Sequence, residues 1–600
     1  MGDYALIGDC HSAALVSRSG SIDWCCMPRL DSDSCFGRLL DWDDGGHFSV
    51  APSARGYTSY RRYLDSTMVL TTNFVTRAGE AIAYDFFAMR RGGRESPRRQ
   101  LIRVVEGVRG KIDFKAEIKP VFDYGQVKPW LRQAATNVYA AIGGDSGLLI
   151  TADEDLEAKA HELHCSFSVR AQERVRLSIT YLDPALLDRE APQPPSHEEL
   201  DKRLDETVDW WERWSRQADF HGSSEVDALR SALVLKALSH APTGAIAAAA
   251  TTSLPEQPGG ARNWDYRFSW IRDSSFSVRA LGEVGFEKEA EGFRRFIQRS
   301  AAGSAHQLQI MYGLHGERRL TEVELDYLDG YRESRPVRIG NEAAKQLQLD
   351  AYGELVLLSW EWHLRGHSPD DDYWRFLADL IDTAAERWAE PDRGIWEIRG
   401  RPRHFVHSKV MCWAALDRGS ALASDVMRRA PLARWRKVAR QIKEEVESKG
   451  YDKRRGCFVQ DFDGKQMDAA LLLLPSTGFV AWDDERMVRT TDAVRADLDS
   501  DGLLLRYRPR VSLDGQRGAE GTFLPCTFWL AECLARQGRV EDARTVFDRA
   551  AGAGNDLGLF SEEFDSANGL MLGNFPQALT HLSHLTAAVA LRDAVAGKRV

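Results

Sequence analysis

From residue 223 onward the chain is a succession of helical patterns joined alternately by short and long links, and this alternation constrains the fold more than any other feature. Apolar residues recur at helical spacing over 226–239, 274–285, 288–302, 342–363, 374–388, 406–423, 433–448, 490–498, 523–536, 540–550 and 576–595. The pattern predicts about twelve helices. Between them lie longer connections near 251–273, 306–341, 390–405, 451–467, 502–521 and 555–575, rich in glycine, aromatic and acidic residues. Helix pairs whose long loops all fall on one face close into a ring, so the expectation is an (α/α)6 barrel with the loops crowding one mouth. An open solenoid would show a shorter, more uniform repeat and fewer chemically distinctive loops.

Before residue 195 the signal is strand. Residues 68–75, 82–87, 111–118, 167–170 and 175–179 carry β-type runs, several of them alternating, and turn residues such as Gly143-Gly144-Asp145-Ser146-Gly147 separate them. An antiparallel β-sandwich fits. Pro192-Gln193-Pro194-Pro195 breaks the chain, and Ser196, with Glu198 and Glu199 close behind, starts a helix through Leu200, Leu204, Val208, Trp211 and Trp214. That stripe is a packing face. The expected architecture is a multidomain β + α chain: a β-sandwich at 1–195, a linker helix at 196–222 and a helical domain at 223–600.

A net charge of -10 leaves no basic footprint for nucleic acid or an anionic membrane, which points to a small neutral partner. Met1-Gly2-Asp3-Tyr4 does not begin a signal peptide, and no run of about 18 apolar residues occurs, so a cytoplasmic location is expected. The nine cysteines form no CxxC pair, and His404 with His407, or His581 with His584, lack further ligands at metal spacing; neither a metal nor a cofactor is predicted.

The first long connection ends in Asn263-Trp264-Asp265-Tyr266-Arg267-Phe268-Ser269-Trp270-Ile271-Arg272-Asp273. Arg and Asp fix hydroxyls while Trp and Tyr offer flat apolar faces, the two surfaces a sugar presents. If the loops share a mouth, their carboxylates share a pocket. The third loop carries Asp392-Arg393-Gly394-Ile395-Trp396-Glu397 and the sixth carries Ser561-Glu562-Glu563-Phe564-Asp565. Glycoside hydrolysis requires one carboxylic acid to protonate the leaving oxygen and a second carboxylate to activate water or attack the sugar. Glu397, beside the indole of Trp396, suits the acid, because an apolar neighbour disfavours the charged form. Glu562 is the candidate base; Gln346, Asp350 and Glu520 are outer candidates.

Trp270-Ile271-Arg272-Asp273, Gly394-Ile395-Trp396-Glu397 and Ser561-Glu562-Glu563-Phe564-Asp565, in that order, resemble glycoside hydrolase family 15, the glucoamylases and their bacterial and archaeal relatives. The opening, Asp3-Tyr4-Ala5-Leu6-Ile7-Gly8-Asp9-Cys10 through Gly20-Ser21-Ile22-Asp23-Trp24 and Pro28-Arg29-Leu30-Asp31-Ser32, resembles the N-terminal domain of that family's trehalase-like members. The resemblance implies an inverting exo-hydrolase with an N-terminal super-β-sandwich. It places Glu397 as general acid and Glu562 as base, has Arg272 and Asp273 grip the terminal glucose, and makes Tyr266 and Trp270 its walls; Trp396 and Glu563, beside the two candidate carboxyls in sequence, are further substrate-binding candidates. Inversion implies carboxyl groups about 6.5 to 9.5 Å apart. Fungal starch-degrading members carry a second Glu after the acid where Ile398 and Arg399 stand here, and no starch-binding module is present; the expected substrate is trehalose or a short malto- or isomalto-oligosaccharide. A phosphorylase on the same barrel and a non-catalytic sugar-binding protein are the alternatives.

Overall fold

The computed structural model describes residues 1–189, 193–221, 225–302, 304–508 and 520–598. The N-terminal part is an antiparallel assembly of many strands organised by one long strand, Gln100–Lys119. Its first half pairs with Gly79–Phe87 and Arg174–Tyr181, and its second half with His47–Pro52 and Glu162–Arg170, so it passes from one sheet into the other. The second half alternates, with Ile112, Phe114, Ala116 and Ile118 buried and Lys111, Asp113 and Lys115 exposed. The first half is buried on both faces, and only the alternating half reads as a strand from sequence. Arg103 lies in that buried half, paired with Asp85 at 2.7 Å and donating to the carbonyls of Phe48 and Gly20.

Helix α1 (His197–Ser215) starts as predicted at Ser196, whose side chain and that of Glu199 cap each other's backbone N–H. Leu200 and Leu204 pack on Val69, Phe86, Ile102 and Val104 of the sheet, while Trp214 stacks on Phe286 at 3.9 Å. The stripe is core, as its spacing indicates.

The helical part comprises α2 (Glu225–Ala237), α3 (Ile271–Glu283), α4 (Glu287–Ser300), α5 (Asp350–Leu364), α6 (Asp371–Arg387), α7 (Val406–Asp425), α8 (Leu432–Lys449), a 3-10 segment Ala469–Thr477, α9 (Glu485–Leu498), α10 (Leu524–Arg536), α11 (Val540–Ala551) and α12 (Ala578–Val595). Inner neighbours run in a cycle: α3 packs on α5, α5 on α7, α7 on the 3-10 segment, that segment on α10, α10 on α12, and α12 on α3. The remaining helices pack outside this cycle. Burial follows position: Asp350–Ser359, Val406–Leu416, Leu524–Ala535 and Ala578–Leu585 are buried on every side, whereas the outer α8 and α11 bury one stripe each.

The expected helix over 342–363 begins only at Asp350, after a 3-10 turn over Glu342–Lys345. Among the described residues no helix is long and apolar enough to cross a membrane, and no cluster of His, Cys, Asp and Glu could hold a metal. All nine cysteines are free and buried.

The sheets brace the first long loop. Trp24 donates its indole N–H to the Ala250 carbonyl at 2.7 Å, and Asp31 accepts from the Leu314 N–H at 3.0 Å. Arg267, 1% exposed, holds Asp265 at 2.7 Å and reaches across to Tyr124 Oη and the Ser32 carbonyl, each at 2.7 Å.

Candidate active site

The stretch 263–273 is extended until Trp270 and helical after it. Ser269–Trp270 pairs with Met311–Tyr312, and Trp270, at φ -78 and ψ 139, precedes the first turn of α3. Phe268 and Trp270 are buried with Ile310, Met311 and Ala344, against which Tyr266 packs. Their rings are therefore wall and core together, in an extended segment rather than a helical one.

That wall holds the two candidate carboxyl groups. The Trp270 indole donates to Glu397 Oε1 at 2.7 Å, and the Tyr266 hydroxyl donates to Glu562 Oε1 at 2.9 Å. Arg272 lies beside them: it pairs with Asp273 at 2.8 Å, donates to the Ile395 carbonyl at 2.6 Å and approaches Glu397 Oε1 at 3.6 Å. The stretch Gly394-Ile395-Trp396-Glu397 is a tight turn in which Glu397 N donates to the Gly394 carbonyl at 3.2 Å. Glu397 itself sits at φ 58, a conformation costing a non-glycine residue about 1 to 3 kcal/mol. A substituent at Gly394, φ 65, would meet the Phe405 ring at 2.7 Å.

Burial raises the pKa of Glu397, against the pull of Arg272 and the Trp270 N–H. It raises that of Glu562 to about 8, helped by the neighbouring charge of Glu256 and opposed by Arg506 and the Tyr266 hydrogen bond. Both carboxyls are therefore shifted toward the protonated form, Glu562 far enough to exchange protons near neutral pH.

Trp396 lines the pocket, donating to Asp468 at 2.8 Å and stacking on Trp529 at 5.8 Å. Glu563 starts the strand Glu563–Asp565, and its carboxylate accepts from the Gly521 N–H at 2.8 Å. Gln346 donates to the Glu397 carbonyl at 3.4 Å, and buried Asp350 feels the charges of Arg272 and Glu397. His581 and His584 both contact Ser231 Oγ at 3.0 Å in the core.

Sequence reading missed an ionic lattice at the pocket rim. Arg262 pairs with Glu520 and, at 3.5 Å, with Glu256, while Arg506 pairs with Glu520 at 2.8 Å and with Glu256 at 3.6 Å. Trp264 donates to Glu256 at 3.1 Å and lies against two guanidinium groups, Arg399 at 4.1 Å and Arg338 at 4.7 Å from its ring centre. The signals available were Arg506 and Glu520 in the fifth long loop, but Glu256 and Arg262 lie about 250 residues away in the first, so no local pattern joins the two halves of the lattice.

Residues 224–589 match glycosyl hydrolases family 15, and residues 2–154 match the domain described as trehalase-like, N-terminal. The chain is 38% identical to a trehalase of Mycolicibacterium smegmatis over 98% of this chain and 91% of that one. It is 36% identical to a trehalase of Thermoplasma volcanium over 99% of this chain and 93% of that one. A bacterial glucoamylase complexed with acarbose has a similar fold, with a TM-score of 0.73 at 12% identity over 99% of this chain and 96% of its own.

Proposed function

The chain belongs to glycosyl hydrolases family 15 and is a glycoside hydrolase, and from that premise we propose that it hydrolyses trehalose with inversion, taking the substrate's terminal glucose into a closed pocket. The observation that carries this reading is the pairing of two buried carboxyl groups on one aromatic wall, Glu397 on Trp270 and Glu562 on Tyr266. Relatives matched along nearly their whole length are trehalases, which favours trehalose over malto- or isomalto-oligosaccharides. The cyclic order of helix contacts supports a closed (α/α)6 barrel, and the strand passing between two sheets supports a β-sandwich in front of it, with divisions at 1–195, 196–222 and 223–600.

In this reading Arg272 and Asp273 grip the outer hydroxyls of the terminal glucose, with Tyr266, Trp270 and Trp396 around it. Glu397 gives its proton to the glycosidic oxygen as the bond lengthens toward an oxocarbenium-like state. Glu562 takes a proton from a water on the opposite ring face, and the water oxygen bonds to C1. From trehalose the attacked unit leaves as β-glucose and the other keeps its α configuration. The acidic run Glu562-Glu563, with Glu256 near it, stands where a phosphorylase would need a basic phosphate pocket.

Proton NMR at early times, with trehalose, maltose, isomaltose and maltotriose in parallel, tests the proposal. Equal α- and β-glucose from trehalose is the expected outcome. Only α-glucose would mean retention, and glucose phosphate a phosphorylase.

A further inference from the structure

Behind the helix starts that carry Arg272 and Asp350 lies a second cavity, of about 260 Å³, lined by parts of α3, α5, α10, α12 and the 3-10 segment, with Arg279, Glu283, Glu361, Trp482, Trp529 and Arg536 among its residues. Polar residues join the two ends. On α3, Arg272, Ser275, Arg279 and Glu283 fall on one face, and on the adjoining α5 so do Asp350, Glu354 and Glu361. Arg279 and Glu361 meet at 2.7 Å across the two helices. Beneath Arg272 the arrangement is unusual. Asp350, Glu354 and His407 are 1%, 1% and 4% exposed, yet all four carboxyl oxygens and both ring nitrogens lack a hydrogen-bond partner in the protein.

Burying such groups without partners costs several kcal/mol in total, and ordered water normally supplies the missing bonds. The three side chains lie on two packed helices, Asp350 and Glu354 one turn apart on α5 and His407 on α7; Asp350 and His407 both feel the charge of Arg272, and Glu354 feels those of Asp350, Arg279 and Glu361. Their chemistry suits water. Burial favours the neutral form of each, so each offers both a donor and an acceptor, and His407 is held to about 3.

We propose that Asp350, Glu354 and His407 hold the pocket end of a file of water molecules running between α3 and α5 to the opposite cavity, through which the sugar pocket drains and refills from behind. A substrate entering a closed pocket must displace the water in it, and each turnover consumes one more. A rear passage lets both happen while the sugar fills the mouth. This rests on residues 263–273 and the two carboxyl groups forming the glucose site.

The test compares Glu354→Leu, which makes the passage apolar, Ser476→Trp, which fills the far cavity from its 3-10 wall, and Glu354→Gln, which keeps the lining polar. The first two should lower kcat roughly three- to tenfold with KM little changed, as for slowed refilling or product release, while Glu354→Gln stays within about twofold of wild type. A crystal structure of the full chain should show waters bonded to Asp350, Glu354 and His407. Normal turnover in either Glu354→Leu or Ser476→Trp, equal loss in Glu354→Gln, or density in which the three side chains bond one another directly would overturn the passage. A Glu562→Gln enzyme with normal turnover would instead overturn the assignment of the site itself.

Discussion

Tyr266 and Trp270 meet edge to face at 5.4 Å, and the polar tip of each ring holds a different carboxyl group. The candidate acid and base come from loops more than 160 residues apart, yet their positions are fixed by two residues four apart on one extended segment. Such an arrangement ties the spacing of the carboxyls to the rigidity of a single wall.

Replacing either carboxyl should remove catalysis and leave the fold. Glu562→Gln and Glu397→Gln are each expected to lower kcat by about 100- to 10,000-fold on trehalose, the usual worth of a positioned acid or base. Unchanged circular dichroism and melting, beside the lost rate, are the check.

The acidic limb of the rate profile should move in opposite directions in two variants. As the proposed base, Glu562 acts ionised, so activity should rise as pH climbs through its pKa. Tyr266→Phe removes a hydrogen bond to the ionised form and moves the limb to higher pH, whereas Glu256→Gln removes a like charge and moves it lower. Profiles of kcat/KM for the three proteins decide it, and parallel shifts would contradict the assignment.

Arg272→Lys keeps a charge but loses the planar fork that bonds Asp273 and the Ile395 carbonyl together. Losing one charge-assisted bond costs about 1.5 to 3 kcal/mol. Steady-state kinetics should show kcat/KM lower by roughly 10- to 150-fold.

Arg267→Met should destabilise the whole chain by about 3 to 5 kcal/mol, because it leaves Asp265 charged, buried and without its partner. Urea unfolding measures it. A single transition in the wild type that splits in the variant would add that Arg267 couples the unfolding of the sheets to that of the helices.

Stability should fall as pH rises from about 4 toward 8, since burial raises Asp350 to about 7, Glu562 to about 8 and Glu354 well above its ordinary value. A carboxyl whose folded pKa is raised stabilises the native state fully below its unfolded pKa, and that contribution disappears as pH passes the folded one. Urea midpoints across this range should decline, and Asp350→Asn should flatten the slope.

Much of this was legible in sequence where structure obeys a local period. The capping box at Ser196, the Trp stripe of α1 and most helices follow from spacing alone. The 3-10 segment Ala469–Thr477 does not, because Leu471 to Leu474 form an unbroken apolar run before Pro475, with no polar face to give a period. It nonetheless occupies a place in the inner cycle. At the site, Glu397 and Glu562 stand out by their neighbours in sequence, whereas Glu256 matters only because Arg262, Arg506 and Glu520 arrive beside it in space. Glu563 shows the limit of adjacency: next to Glu562 in the chain, it bonds the Gly521 backbone instead.

The Trp24 bond to Ala250 and the reach of Arg267 to Ser32 and Tyr124 also have a meaning in time. On the ribosome the sheets are complete long before residue 267 emerges, and domains fold in the order they are made. The wall carrying Tyr266 and Trp270 is thus delivered onto a finished foundation, and the loop carrying Glu562 reaches it about 290 residues later in synthesis. A nascent chain stalled anywhere before the sixth long loop would hold the proposed sugar clamp and the candidate acid but lack the candidate base.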